Sequence, residues 1–554
     1  MRSALFLLAA ALAAQAQTGE VTTREEMPTF QSSVNLVRVP VVIRDKQGHT
    51  VGTFRKEDFQ LTDRGKAQYI SQFAIEGSAV PKPAAKPSTE EEIPWAPAAV
   101  GSKLVVPTRF TAFVFDDVHS KTGDLMNARI AALKHMEQQG IRPQDRVALL
   151  TLSGKVSLEF TNDPAKFRET LMKIMPMPPH KTFPPASFFV ADQWMNRDDK
   201  QALAIETGIV SACIPGVADP GKLAESVLRE AVNAGRGEAI ANFRTLSNMV
   251  RLLSAMPGDR TMIFSSPGMY VPDELQKDLT ESIDRATRAG VVINTLDARG
   301  VYTIDPIGDI PGCFPLDPQT SLLVSRYDSF ENLAQGMTLE DLAHSTGGST
   351  SSDNDLLGGF NRLANPPEYV YYLGFYPKDL KPDGKYHEIK VKLVDTKGLS
   401  LQARRGYWAP SHEEDAAAAA TREIGEAVFS RDELRDVPIE IHSQFFKTTD
   451  EDAKLKVATH LDIRQLPLRK EDDRNRDDVT LVCALFDGNG NYIKGTQKVV
   501  ELRLKDENLD RRRAGGVTVN SDFDVKVGPY MIRVVVRDAE GRQMAAANGV
   551  VEIP

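Results

Sequence analysis

Between residues 108 and 365 short apolar runs alternate with stretches of helical period, and outside that segment the period drops to two. The first apolar run, 113–116, leads into Asp116-Asp117-Val118-His119-Ser120. A helix follows over about 123–139, with Met126, Ile130, Leu133 and Met136 on one stripe and Gly140 as its stop. Residues 146–152 and 155–160 predict an antiparallel pair around Ser153-Gly154, and Asp163 caps the next helix. The runs 261–264 and 291–296 are short and continuously apolar, as expected of central strands buried on both faces. Helices are expected over 339–344 and 355–363, and the stretch from about 176 to 241 reads as a partly helical insertion, being too long for a connection. This alternation predicts an α/β domain with a doubly wound, Rossmann-type sheet.

The flanks read as β structure. Strand signals fall at 37–43, 59–62 and 69–73, again at 369–376, 386–394 and 399–405, and throughout about 430–554. Four β runs end in Asp-x-x-Gly, at Asp45–Gly48, Asp395–Gly398, Asp487–Gly490 and Asp538–Gly541, each predicting a hairpin on a type I turn with a left-handed glycine. Segment 17–76 offers about four strands and 366–410 about three, roughly the seven of one immunoglobulin-like sandwich, so the expectation is a single sandwich into which the α/β domain of 108–365 is inserted. Residues 77–107, rich in Pro, Ala and Ser, form a linker, and 411–429 a helical linker that opens on the capping box Ser411-x-x-Glu414. A second immunoglobulin-like sandwich is expected over 430–554.

A chain of 554 residues exceeds one hydrophobic core. With 67 basic and 76 acidic residues its net charge is -9, which argues against nucleic acid or an anionic membrane as the main partner. At the N-terminus Arg2, the apolar run 4–14 and Ala14-Gln15-Ala16 have the form of an export signal, with a mature chain expected from about Gln17 and residence in the periplasm or outside the cell. No later stretch is long and apolar enough to span a bilayer. Of the three cysteines, Cys213 and Cys313 fall in loop-like stretches and are the candidate pair, while Cys483 lies in a strand run and is expected to be buried and free.

Several segments together carry a family resemblance: Arg44-Asp45-Lys46-Gln47-Gly48 with Glu57-Asp58-Phe59; Phe115-Asp116-Asp117; Phe264-Ser265-Ser266-Pro267-Gly268; Leu296-Asp297-Ala298-Arg299-Gly300; Leu342-Ala343-His344-Ser345-Thr346-Gly347-Gly348; and Tyr371-Tyr372-Leu373-Gly374-Phe375. With them the chain resembles the von Willebrand factor A (VWA)-related proteins of the acidobacterial type over nearly all of its mature length. The resemblance implies a secreted protein with a VWA-like domain and no established catalytic activity. It also implies a place for a divalent cation, usually Mg²⁺, in an Asp-x-Ser-x-Ser turn, completed by a threonine, a later aspartate and a carboxylate from the partner.

Asp116 and Ser120 fill the first and last positions of that turn, but Val118 stands for the middle serine and Ser265-Ser266 stand where Thr-Asp is expected. Thr245 is a loose candidate for the threonine. The expected metal ligands are therefore Asp116 and Ser120 of a degenerate site, with Asp117, Ser265 and Asp297 forming a partner-binding rim at the same sheet edge. The competing reading is that Asp116 and Asp117 cap the following helix and bind loop amides, and that Asp297 pairs with Arg299. No cofactor is expected beyond, at most, that Mg²⁺.

No His-Glu-x-x-His, Gly-x-Ser-x-Gly, P-loop or Gly-x-Gly-x-x-Gly motif occurs. Asp487-Gly488-Asn489-Gly490-Asn491 lacks the distal glutamate of a calcium loop and reads as a tight hairpin. The leading expectation is a secreted, non-enzymatic VWA-domain protein that binds an unidentified protein partner. The alternatives are a hydrolase with its site near His119 or in 176–241, and a structural component of an envelope assembly.

Overall fold

The computed structural model describes residues 20–26, 37–46, 49–77, 107–177, 183–300, 316–364, 369–377, 384–394, 398–409, 416–430, 434–464, 466–471, 473–539 and 543–554. The expected export signal, the Pro-rich stretch 78–106, the expected Ser411 capping box and Cys313 lie outside these residues. The chain divides into two compact units, one built from 30–431 with 487–492 and the other from 1–29, 432–486 and 493–554.

The larger unit is organised around a six-stranded sheet. Its strands lie in the order Thr350–Ser351, Val291–Asp297, Asp259–Ser266, Arg109–Phe115, Asp145–Thr151 and Ser157–Thr161. All neighbours are parallel except the last pair, which is antiparallel around the Ser153-Gly154 turn. The chain leaves Arg109–Phe115 toward one edge and then returns to build the other side, so the strand order reverses beside that strand. Helices cover both faces. Phe113 and Phe115 point into a core with Leu125, Phe167 and Phe360 from the helices Thr122–Gln139, Pro164–Leu171 and Leu356–Ala364. Phe110, Ala112 and Val114 point the other way, against Leu246, Leu279 and Leu342 of Pro220–Ser254, Gln276–Arg288 and Pro318–Thr346.

One stripe is rotated from its expected place. The first helix buries Leu125, Ala128, Ala132 and Met136, while Ile130 is 44 % exposed. Two polar residues explain the shift. Arg129 is inside because its guanidinium donates to the Ile174 carbonyl at 2.9 Å, and His135 because its ring meets Asn361 Oδ1 at 2.6 Å. An apolar count alone misses buried polar groups that have partners.

Most of the 176–241 segment is helical. Phe188–Arg197, Lys200–Cys213 and the first half of Pro220–Ser254 enclose a separate core of Phe189, Ile205, Ile209, Leu228 and Val232. Each helix starts on a side-chain cap: Ser187 accepts from the Val190 amide, Asp199 from Gln201 and Asp219 from Lys222. Val324 and Tyr327 of Pro318–Thr346 close that core. The helix expected over 339–344 is thus the end of a 29-residue helix.

Strands from before and after the α/β segment pair directly. Ser400–Ala403, Val37–Arg44, Tyr369–Phe375 and Gln72–Gly77 form one four-stranded sheet; Gly406–Trp408, Tyr386–Leu393, Phe59–Asp63 and Lys66–Gln68 form another. Val39, Val41, Leu61, Tyr371, Leu373 and Phe375 share their core. The run 399–405 holds one strand, Ser400–Ala403, and Gly406–Trp408 just beyond it joins the other sheet. Tyr371 is buried whole because its hydroxyl donates to the Val51 carbonyl at 2.7 Å and accepts the Phe54 amide at 3.1 Å.

In the smaller unit, a seven-stranded sheet and the three-stranded sheet of Ile439–Lys447, Asp452–Leu461 and Val517–Lys526 share one apolar core. Val21–Glu26 belongs here, paired antiparallel with Tyr492–Lys505, rather than with the strands that follow it in sequence. Its residues, Val-Thr-Thr-Arg-Glu-Glu, are too polar for a central strand and suit a sheet edge. In the segment Asp487–Tyr492, which belongs to the larger unit, the Gly490 amide donates to the Asp487 carbonyl at 3.0 Å with φ 89°, the expected turn, and the Asp487 carboxylate is taken up by Asn489 and Asn491. Cys213 is disulfide-bonded, while Cys483 is buried and free.

Candidate functional site

The strand Arg109–Phe115 delivers Asp116 to the carboxyl edge of the sheet at the point where strand order reverses, the usual ligand crevice of an open α/β sheet. Parallel pairing brings the other predicted residues to the same edge. The Asp116 amide donates to the Ser265 carbonyl at 2.9 Å, and Asp297 is in register with Ser266. Asp116, Ser265 and Asp297 therefore cap three adjacent strands. Thr245 does not join them: it lies on Pro220–Ser254, its hydroxyl bonded back to the Ala241 carbonyl.

The expected open rim is not what this edge presents. Asp116 is 0 %, Asp117 1 %, Ser265 2 % and Asp297 8 % exposed, and the carboxylates are satisfied within the chain. Asp117 turns sideways to accept the Ser153 amide at 2.9 Å and hydroxyl at 2.5 Å. Its own carbonyl receives the Met177 amide at 2.6 Å, which draws the start of the insertion across the edge. Asp297 accepts twice from the Arg299 guanidinium, at 2.9 and 2.7 Å, while Arg299 also reaches Asn332 and Gln335 of the long helix. The local ion pair is thus the realised alternative for Asp297. Gly268 lets the loop after Asp259–Ser266 pass close beneath that helix: its φ is +87°, and a Cβ there would stand 2.3 Å from the Gln335 carbonyl oxygen.

Asp116 is the centre of the cluster. Its carboxylate accepts the Val118 and His119 amides at 3.1 and 2.8 Å, the Ser266 hydroxyl at 2.6 Å, and His119 Nδ1 at 2.9–3.0 Å from both oxygens. The opposite ring nitrogen, Nε2, lies 2.8 Å from Glu238 Oε1 and 3.3 Å from Asn242 Nδ2, both on Pro220–Ser254. Burial alone would raise the Asp116 pKa. The His119 charge and the hydrogen bonds overcome it and hold the carboxyl below its ordinary range. Burial likewise opposes charge on His119, but Asp116 and Glu238 together push it up to about 10. Nothing in sequence spacing signalled Glu238 or Asn242, which lie more than one hundred residues away on an element of their own.

A divalent cation was tested against this geometry. Two hydroxyls, Ser120 Oγ and Ser265 Oγ, are buried without a hydrogen-bond partner. The Asp116 carboxylate is filled, with both oxygens bridged by an imidazole. The other carboxylates at the edge are committed to Ser153 and Arg299. A hard cation needs several free oxygen donors, and Asp116 and its neighbours as arranged do not fit one. Among the described residues no group of three or more His, Cys, Asp or Glu is placed to hold a metal. Both ring nitrogens of His119, the centre of the hydrolytic alternative, face carboxylates.

No protein-family profile and no curated protein matches the chain. Solved structures give distant likenesses. A β-glucuronidase of Bacteroides uniformis is 9 % identical, covers 33 % of this chain and 19 % of its own, and has a TM-score of 0.15. The N-terminal domain of TFIIH p34 is 11 % identical and covers 47 % and 98 %, with a TM-score of 0.20. Three N-terminal domains of the type V pili tip protein Mfa5 from Porphyromonas gingivalis are 9 % identical and cover 81 % and 71 %, with a TM-score of 0.19. The chain thus spans about a fifth of the glucuronidase. Likenesses this weak say nothing of activity.

Proposed function

We propose that this chain is an exported, non-enzymatic protein-binding module: a VWA-like domain with a degenerate adhesion site, flanked by immunoglobulin-like sheets. The reversal of strand order beside Arg109–Phe115, with an acidic, hydroxyl-bearing turn at that point, supports the VWA-like reading. The covered edge moves the contact surface outward, from the carboxylates to the layer over them.

One observation carries the binding role. Half of the large apolar side chains exposed among the described residues fall in two short sets: Met172, Met175, Met177 and Phe183, and Leu322, Phe330, Leu333 and Met337. The second set recurs at helical spacing along one face of Pro318–Thr346. Concentrated exposed apolar surface marks interaction sites, and methionines adapt to varied partners. No helix among the described residues is long and apolar enough to cross a membrane.

The test is capture from envelope extracts by the mature protein, wild type against Phe330→Glu/Leu333→Glu. A defined partner retained by the wild type and lost by a folded variant supports the reading. Equal recovery by both rejects it.

A further inference from the structure

Three carboxylate and imidazole groups from two distant parts of the chain meet in a line at the covered edge. Asp116 ends a central strand, His119 lies in the turn after it, and Glu238 projects from Pro220–Ser254, where that helix passes over the turn. The ring of His119 stands 2.9 Å from Asp116 on one side and 2.8 Å from Glu238 on the other. On the same side Ser266 Oγ donates to Asp116 Oδ2 at 2.6 Å.

Accepting the VWA-like reading, on which this step rests, we infer that the chain occupies its own adhesion site: the His119 ring takes the place of the divalent cation, and Glu238 takes the place of the partner's carboxylate. The geometry explains each departure from the expected pattern. A planar ring with one donor at each end bridges two carboxylates in line and needs no further oxygen ligands, so the lost middle serine (Val118) and the missing second aspartate (Ser266) carry no penalty. Ser266 instead donates to Asp116 Oδ2 at 2.6 Å, a role an aspartate there could not fill. The insertion then has a definite role: it supplies the internal carboxylate and closes the edge, so that an outside acidic side chain reaches Asp116 only by displacing Glu238.

The experiment uses the full mature chain titrated with MnCl₂, followed by calorimetry and by loss of the free-ion electron spin resonance signal. The wild type is expected to bind no Mn²⁺ at millimolar concentration. His119→Ser, which vacates the place and leaves Asp116 and Glu238 facing it, should bind at least tenfold more tightly than wild type. His119→Ser/Glu238→Gln should lose at least tenfold of that gain. Wild-type binding as tight as that of His119→Ser, or no binding by His119→Ser, overturns the inference.

A second readout needs no variant. Proton–nitrogen correlation spectra of the wild type near neutral pH should show both ring nitrogens of His119 carrying protons, as donation to two carboxylates requires; one bare nitrogen overturns the assignment. Partner capture can fail while these results hold, in which case the binding role falls and the self-occupied site stands.

Discussion

Replacing Asp116 with Asn tests whether the buried cluster holds the α/β body together. The carboxylate is fully buried and accepts from two backbone amides, one hydroxyl and one imidazole. An amide of the same shape keeps one acceptor, turns an N–H toward donors, and leaves the His119 charge facing Glu238 alone. Breaking a buried ion pair by removing one partner costs about 3–5 kcal/mol. The lower end is expected here, because Glu238 still compensates part of the charge. Urea denaturation monitored at Trp194, which lies in the insertion beneath Arg229, reports on the right unit. A double-mutant cycle with His119→Gln should return a coupling of at least about 1 kcal/mol. The pH dependence follows from the shifts. His119 is raised, so its contribution is complete below its ordinary 6.5 and is lost as pH climbs through about 10. Asp116 is lowered, so its contribution is complete above its ordinary 3.8 and is lost as pH falls through the depressed value. The wild-type advantage over Asp116→Asn should therefore be flat between about pH 4 and 6.5, shrink steadily as pH rises from 6.5 toward about 10, and shrink again as pH falls below 3.8. A loss below about 1 kcal/mol for Asp116→Asn, or a coupling near zero, refutes the reasoning.

Glu206 sits 1 % exposed in the core of the insertion, with Oε1 unpartnered, and burial pushes its pKa up to about 8. The unfolded chain ionises near 4.5 and the folded chain only near 8, so wild-type stability should fall as pH rises across that interval, whereas Glu206→Met should lack the slope and gain roughly 2 kcal/mol at pH 8; parallel urea midpoints from pH 5 to about 8 would contradict this. Gly268→Ala should destabilise by roughly 2 kcal/mol or more, since a Cβ there meets the Gln335 carbonyl oxygen at 2.3 Å from a backbone with φ +87°, and an unchanged thermal midpoint would show that the long helix yields freely.

Local chemistry settled a good deal of this molecule before any folding. Continuous apolar runs at 261–264 and 291–296, a glycine stop at Gly140 and the Asp-x-x-Gly turn at 487–490 define strands, helix ends and hairpins through short-range sterics and hydrogen bonding, which neighbours in sequence determine. The ends of three parallel strands were legible for the same reason, so Asp116, Ser265 and Asp297 could be placed on one edge. Long-range packing decided the rest. Whether that edge is open depends on where the insertion folds, and only the packing of Pro220–Ser254 brings Glu238 to His119. The inward turn of Arg129 and His135 depends on acceptors at Ile174 and Asn361 that no helical period encodes. A polar group is buried when distant partners satisfy it, and those partners are named by the tertiary structure alone.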